Sequence, residues 1–253
     1  MTYVSHELEG VVRAAQKGSI GLVRDFNELT QLQSAPKGHE EFTKAAIDRT
    51  LFIIRAELNR LRKDMPVVTS GNKLPMDESF VVSPLNGHLN FMRSIPYFAV
   101  SIAHVKRGEI IYGVVYNPST GDTYMAEKGA GAFKEESRSN SRLRVSVRND
   151  LSTSLLSMSQ KCQLRFKDVE VRAFGSESLD LAYVASGKMD VFVSQNANMA
   201  DVLAGALLVR EAGGRIFTTT QSEECAENFR NAIESGNMIA GNAVICKKLF
   251  EQM

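Results

Sequence analysis

The segment YFAVSIAHVKRGEIIYGVVYNPSTGDTYMAEKG, Tyr97 to Gly129, limits the possible folds of this chain more than any other. Two runs rich in β-branched and aromatic residues, YFAVSIAHV and EIIYGVVYNP, flank the turn Lys106-Arg107-Gly108-Glu109. A connection that short makes the chain double back, so the two runs predict an antiparallel hairpin. STGDTYMAEKG adds another turn and strand. A sheet with an apolar face must be covered by something.

The cover lies upstream. Residues 5–28 place Leu8, Val12, Ala15, Leu22 and Phe26 on one side at helical spacing, with Gly18 as a weak point in the middle. Pro36 and Gly38 break that helix, and a second follows over Glu41–Lys63 with Ile47, Leu51, Ile54, Leu58 and Leu61 as its buried stripe. MPVV and SFVV read as further strands. Residues 1–150 are therefore expected to form a helix pair on an antiparallel sheet. From about residue 150 strands and helices alternate: LLSMSQ, VEVRAF, a helix over Glu177–Ser186, DVFVSQ, a helix over Met199–Ala212, GRIFTT, NMIAG and a terminal helix. That rhythm predicts an α/β arrangement for residues 151–253, continuous with the first half. Thr219–Ser235 is polar and reads as the least ordered stretch.

Thirty basic residues against twenty-nine acidic ones leave no global field for nucleic acid or an anionic membrane. Cys162, Cys225 and Cys246 fit neither a disulfide framework nor a zinc site and read as cytoplasmic thiols. The amino terminus lacks the pattern of a secretory signal, and no apolar run is long enough to predict a membrane span. The expectation is a soluble cytoplasmic protein. A phosphate-binding Gly-x4-Gly-Lys-Ser/Thr loop and a His-Glu-x-x-His zinc helix are both absent. GSESLD at Gly175 lacks the spacing of a nucleophile elbow, and His6, His39, His88 and His104 are too scattered to argue a triad.

SFVVSPLNGHLNFM, Ser79–Met92, has the shape of a strand ending in a loop before a helix, a common place for active-site groups. Yet it offers Ser83, Asn86 and His88 and no acid. Longer strings give that shape a context: PYFAVSIAHVKRGEIIYGVVYNPSTGDTYMAEKGAGAF, RAFGSESLDLAYVASGKMD, DVLAGALLVREAGG and GNMIAGN. With these the chain, from about residue 8 to residue 250, resembles the inositol monophosphatase superfamily, above all its bacterial extragenic suppressor branch. The resemblance implies a layered α-β-α-β-α sandwich and a homodimer. In active members it implies Mg²⁺-dependent hydrolysis of phosphate monoesters, with carboxylates holding the ions that polarise the phosphate and activate water.

Active members read Asp-Pro-Ile/Leu-Asp-Gly-Thr-Thr-Asn-Phe where this chain reads SPLNGHLNF. The first aspartate falls on Ser83, the backbone-carbonyl ligand on Leu85, the second aspartate on Asn86 and the water-orienting threonine on His88. The glutamate of the Glu-Glu motif falls on Ser70. The aspartate of helix two falls on Ile47, its threonine on Lys44, and a one-residue slip would bring in Asp48. Asp201 keeps an acid; the sugar-contacting glutamate falls near Ser194. Gly87, Gly175 and Ser176 retain the expected types. Asp48, Asp77 and Glu78 are the candidates to replace the missing charge.

Each position also has a plainer reading. Asp201 can cap a helix, Ser83 and Asn86 can serve a turn, His88 can be a surface residue, and Gly175-Ser176 can be a helix start. Peptide N–H groups after Gly87, with His88, could still hold phosphate or sulfate without a metal. Arg142, Arg144 and Arg148 would share one face if Ser141–Arg148 is a strand, either as a contact for RNA or an acidic protein or as a solubilised edge. The reading is a family member that has lost Mg²⁺-dependent hydrolysis and kept a binding or regulatory role, with no cofactor expected. Mg²⁺ enters only under the alternative, an active inositol-1-monophosphatase or related phosphomonoesterase. The suppressor branch implies a protein partner in RNA synthesis or ribosome production.

Overall fold

The structure, a computed structural model, describes residues 5–31, 39–136, 140–219 and 228–253. The helix pair is α1 (His6–Gln31) and α2 (His39–Leu61). The expected break at Pro36 and Gly38 lies outside the described residues. Lys17 pairs with Glu57 and Asp25 with Arg49, so the helices run antiparallel. They approach closely at Gly18, where a Cβ would come within 2.4 Å of Ile54 Cγ1. The glycine that looked like a weak point is a contact.

Seven strands form the first sheet in chain order: β1 (Val67–Val68), β2 (Ser79–Asn86), β3 (Ala99–Lys106), β4 (Glu109–Asn117), β5 (Asp122–Glu127), β6 (Gly131–Glu135) and β7 (Asn140–Arg142). The pairings are antiparallel except β1 with β2, which is parallel, a departure from the all-antiparallel expectation. Period-2 alternation divides the apolar residues between two faces. Phe80, Val82, Val100, Ile102 and Val114 pack under α1 and α2. Val81, Ala103, Val115 and Tyr124 pack under α4 (Glu177–Ala185) and α5 (Met199–Glu211).

The second sheet runs β11-β12-β10-β8-β9. Its strands are β8 (Leu155–Met158), β9 (Glu170–Arg172), β10 (Val191–Ser194), β11 (Arg215–Thr218) and β12 (Met238–Gly241). Phe192, Ile216, Met238 and Ala240 join the α4–α5 layer, whereas Val191, Val193, Phe217 and Ile239 pack against α7 (Ala243–Phe250). The layers are therefore α-β-α-β-α, as expected. Among the described residues no helix is long and apolar enough to cross a membrane.

Three local expectations need correction. The strand read as SFVV continues through Ser83-Pro84-Leu85-Asn86, with an irregularity in its register against β3 between Ser83 and Asn86. Ser141–Arg148 is not one strand: β7 stops at Arg142. Arg142 lies over the Phe133 ring, Arg144 is exposed, and Arg148 pairs at 3.3 Å with buried Asp190, so no arginine stripe forms. Phe229–Ser235, placed within the least ordered stretch, is helix α6, with Asn228 accepting from Asn231 N at its start. Residues 220–227 lie outside the description.

Candidate functional site

The carboxy-terminal end of β2, the short helix α3 (His88–Met92) and the amino-terminal ends of α4 and α5 converge on an open cleft of about 140 Å³. Gly87 makes the turn out of β2 with φ +89°, and a Cβ there would sit 2.9 Å from the Tyr97 carbonyl oxygen. Left-handed geometry and crowding together explain the glycine.

Buried Ser83 donates its hydroxyl to Asp201 Oδ1 at 2.5 Å. Asn86, also buried, donates Nδ2 to Glu177 Oε2 at 3.0 Å. Its Oδ1 accepts from Ser176 Oγ at 2.6 Å and from Ser178 N at 3.0 Å. Ser178 Oγ in turn donates to the Asp201 carbonyl at 2.6 Å. One neutral residue of the first sheet thus ties together the start of α4, and a serine beside it holds α5.

Burial pushes the Asp201 carboxyl up to about 6, and the nearby Glu177 charge adds to the rise. The Ser83 hydrogen bond, the Asn86 amide and the Lys161 charge pull the other way without overcoming it. One turn further along α4, Asp180 is pushed up to about 7 by burial, although Tyr97 donates its hydroxyl to Oδ1 at 2.7 Å. The same burial drives the Tyr97 phenol strongly upward.

Of the residues singled out in the sequence, Leu85, Asn86, Gly87, His88, Gly175 and Asp201 line the cleft, and His88 is exposed. Ser83 reaches it through Asp201. Ser176 is fully buried beneath it, acting on Asn86. Ser194 does not reach it: its side chain is fully buried in β10 and donates to the Gly236 carbonyl at 2.9 Å. Ser70 is exposed beyond β1, and Ile47 packs into the helix–sheet core. Asp48 and Asp77 are exposed, and Glu78 pairs with Lys106 and His104, each at 3.1 Å. Glu78 precedes β2, and at strand rise it lies roughly 16 Å from Ser83.

Sequence reading missed Glu177, the second carboxylate of the cleft. It sits in the first turn of α4, where an acid is expected simply to favour the helix dipole. The signal was its place directly after Gly175-Ser176. Lys161 and Gln160, also on the cleft wall, follow β8 in a stretch with no motif.

A pair of magnesium ions wants several negatively charged oxygens in octahedral array. The donor set here does not fit that demand. The Ser83 hydroxyl proton is directed at Asp201, and the Asn86 oxygen already accepts two hydrogen bonds. Among the described residues no group of three or more His, Cys, Asp or Glu side chains is arranged to hold a metal.

A family model described as the inositol monophosphatase family matches residues 5–252. The chain belongs to that family. It is 36% identical over 265 residues to an inositol-1-monophosphatase of Caulobacter vibrioides, covering 96% of this chain and 99% of that protein. It is 30% identical to the Nus factor SuhB of Escherichia coli, covering 96% of this chain and 93% of that one. Among solved structures, the extragenic suppressor protein suhB from Bartonella henselae superposes with a TM-score of 0.82 at 34% identity, over 98% of each chain.

Proposed function

We propose that this family member has given up metal-dependent phosphate monoester hydrolysis and works as a binding or regulatory protein. The observation that supports this reading is the pair Ser83 and Asn86, neutral donors turned toward Asp201 and Glu177. Where active members are expected to carry acids facing metal ions, this chain has hydrogen-bond donors facing its own acids. Two carboxylates, one of them pushed up to about 6, are poorly matched to two adjacent dications.

The role follows the relatives named Nus factor SuhB, engagement of a protein partner in RNA synthesis or ribosome production, and the family resemblance adds a homodimer. The rival reading, an active Mg²⁺-dependent inositol-1-monophosphatase, rests on the relatives of that name. Phosphate release from inositol 1-phosphate, measured with and without Mg²⁺, separates the two. The expected result is a rate equal to the protein-free blank at every Mg²⁺ concentration. Lithium-sensitive turnover by the pure protein overturns the reading.

The metal-free anion site expected after Gly87 has less support. The helix there has only five residues, too short for a strong dipole, and Glu177 stands on the same cleft.

A further inference from the structure

The second sheet ends at β9, an edge strand whose residues Glu170, Val171 and Arg172 are all exposed. Glu170 gives its N–H to the Ser154 carbonyl at 3.4 Å, and the parallel register sets Val171 beside Leu156. Backbone groups of successive residues alternate in direction along a strand, so the Val171 N–H and carbonyl point away from β8. An outward row of this kind is a template for another strand. Here the Val171 carbonyl is met by its neighbour: Arg172 Nη1 donates to it at 2.9 Å and pairs with Glu170 Oε2 at 3.2 Å. That cover is an exposed side chain, which an incoming strand can displace.

The order Glu-Val-Arg selects the incoming strand. When a second copy is laid antiparallel about Val171, each Glu170 stands opposite the partner's Arg172, with the Cα atoms about 4.5 Å apart. A parallel copy in register would set like charges side by side. Beyond the end of β9, Phe174 and Ile95 are exposed at 37% and 47%. The Phe174 ring lies 5.0 Å from that of Tyr97, and Asn90 Nδ2 donates to the carbonyls of both, so the Ile95–Tyr97 loop is tied to the strand's end. Three-residue strands alone fall short of the roughly 1,200 Å² that a stable interface buries, and these apolar side chains extend the area.

We propose that two copies of this chain join through β9, antiparallel about a two-fold axis at Val171, so that their second sheets become one continuous sheet. Val171 exchanges N–H···O bonds with the partner's Val171. Arg172 leaves its own strand for the partner's Glu170, and symmetry makes that contact twice, as in any isologous interface. This interface depends on the homodimer proposed above, whose contact surface and register it names.

The test is sedimentation velocity of the full chain over a range of concentrations, and the unaltered chain is expected to be a dimer. Arg172→Glu makes both charges of the strand acidic, and Glu170→Arg makes both basic. Each variant alone then sets like charges opposite one another twice, and its dimer dissociation constant should rise about 10-fold. Mixed in equal amounts, the two variants should recover the original affinity, because an acidic strand then faces a basic one. Val171→Pro removes the outward N–H and leaves the bonds to β8 in place, so it should also weaken the dimer with the circular dichroism spectrum unchanged. A monomeric unaltered chain overturns the homodimer and this interface together. A dimer equally tight in both charge reversals, or in folded Val171→Pro, overturns this interface alone, as does a mixture no tighter than its parts. If Val171→Pro does not fold, the two reversals, both at exposed side chains, decide by themselves.

Discussion

The two ends of β2 solve the same problem in opposite ways. Before its first residue, Glu78 meets Lys106 and His104, while Glu7 pairs with Arg62 and accepts from Tyr112 at 3.1 Å. These acids are partly exposed, and cations hold them below the usual carboxylate range: Arg62 for Glu7 and Lys106 for Glu78. At the far end Asp201, also partly exposed, is met by a serine and an amide, and burial is the leading cause of its shift. Its carboxyl rises instead. Cations stabilise a negative charge whether or not water remains; a neutral donor offsets only part of the desolvation. The contrast separates a pair of surface ion clusters from a buried, hydrogen-bonded junction between two halves of the fold.

The largest test of that contrast uses Asp180, the deepest of the raised acids. Its folded value, about 7, lies above the unfolded 3.8, so between those values the native state holds a proton that the unfolded chain has released. Its contribution to stability is full below pH 4 and is lost as pH rises through 7. The loss is on the order of 4 kcal/mol at 1.36 kcal/mol per unit. Urea denaturation across this range should show the decline, and Asp180→Asn should flatten it. Glu7 and Glu78 act with the opposite sign, contributing stability that is lost on acidification through their lowered folded values.

Next in size is Asn86→Leu. It strands the Glu177 carboxylate, the Ser176 hydroxyl and the Ser178 amide, and should cost about 3 kcal/mol in chemical denaturation. A cost near zero would mean that the junction is not held through Asn86. Ser83→Ala removes one donor from Asp201 and should destabilise by about 1–2 kcal/mol near neutral pH, while moving the Asp201 titration upward in NMR. The smallest effect belongs to the other end. Lys106→Ala breaks a pair whose partners are 48% and 30% exposed, and should change stability by less than about 1 kcal/mol. A larger loss there would erase the distinction between the two ends.

Much of the architecture was legible. The Lys106–Glu109 turn between two strand-like runs could only be a hairpin, and the stripe of α1 through Leu8, Val12, Ala15 and Leu22 is buried as spaced. The errors have local causes. Pro84 and Asn86 look like loop residues, yet β2 carries both through the irregular register between Ser83 and Asn86, and the turn begins only at Gly87. Arg142, Arg144 and Arg148 keep strand spacing in a segment that leaves the sheet after Arg142, where Arg148 turns to Asp190. Ser194 was placed at a substrate position by similarity, but β10 points its hydroxyl at the Gly236 carbonyl.

By itself the sequence determined the helix pair, the antiparallel sheet and the strand–helix alternation, through two hydrophobic periodicities, and the neutrality of positions 83 and 86, through residue identity. Both are local properties that can be read from neighbours along the chain; the five-layer order came with the family resemblance. Only the tertiary structure decided what those neutral residues do. Asn86 finds Glu177, and Ser83 finds Asp201, across separations that no periodicity encodes. A hydrogen bond depends on an angle and a few tenths of an ångström, and those are set when β2, α4 and α5 pack together.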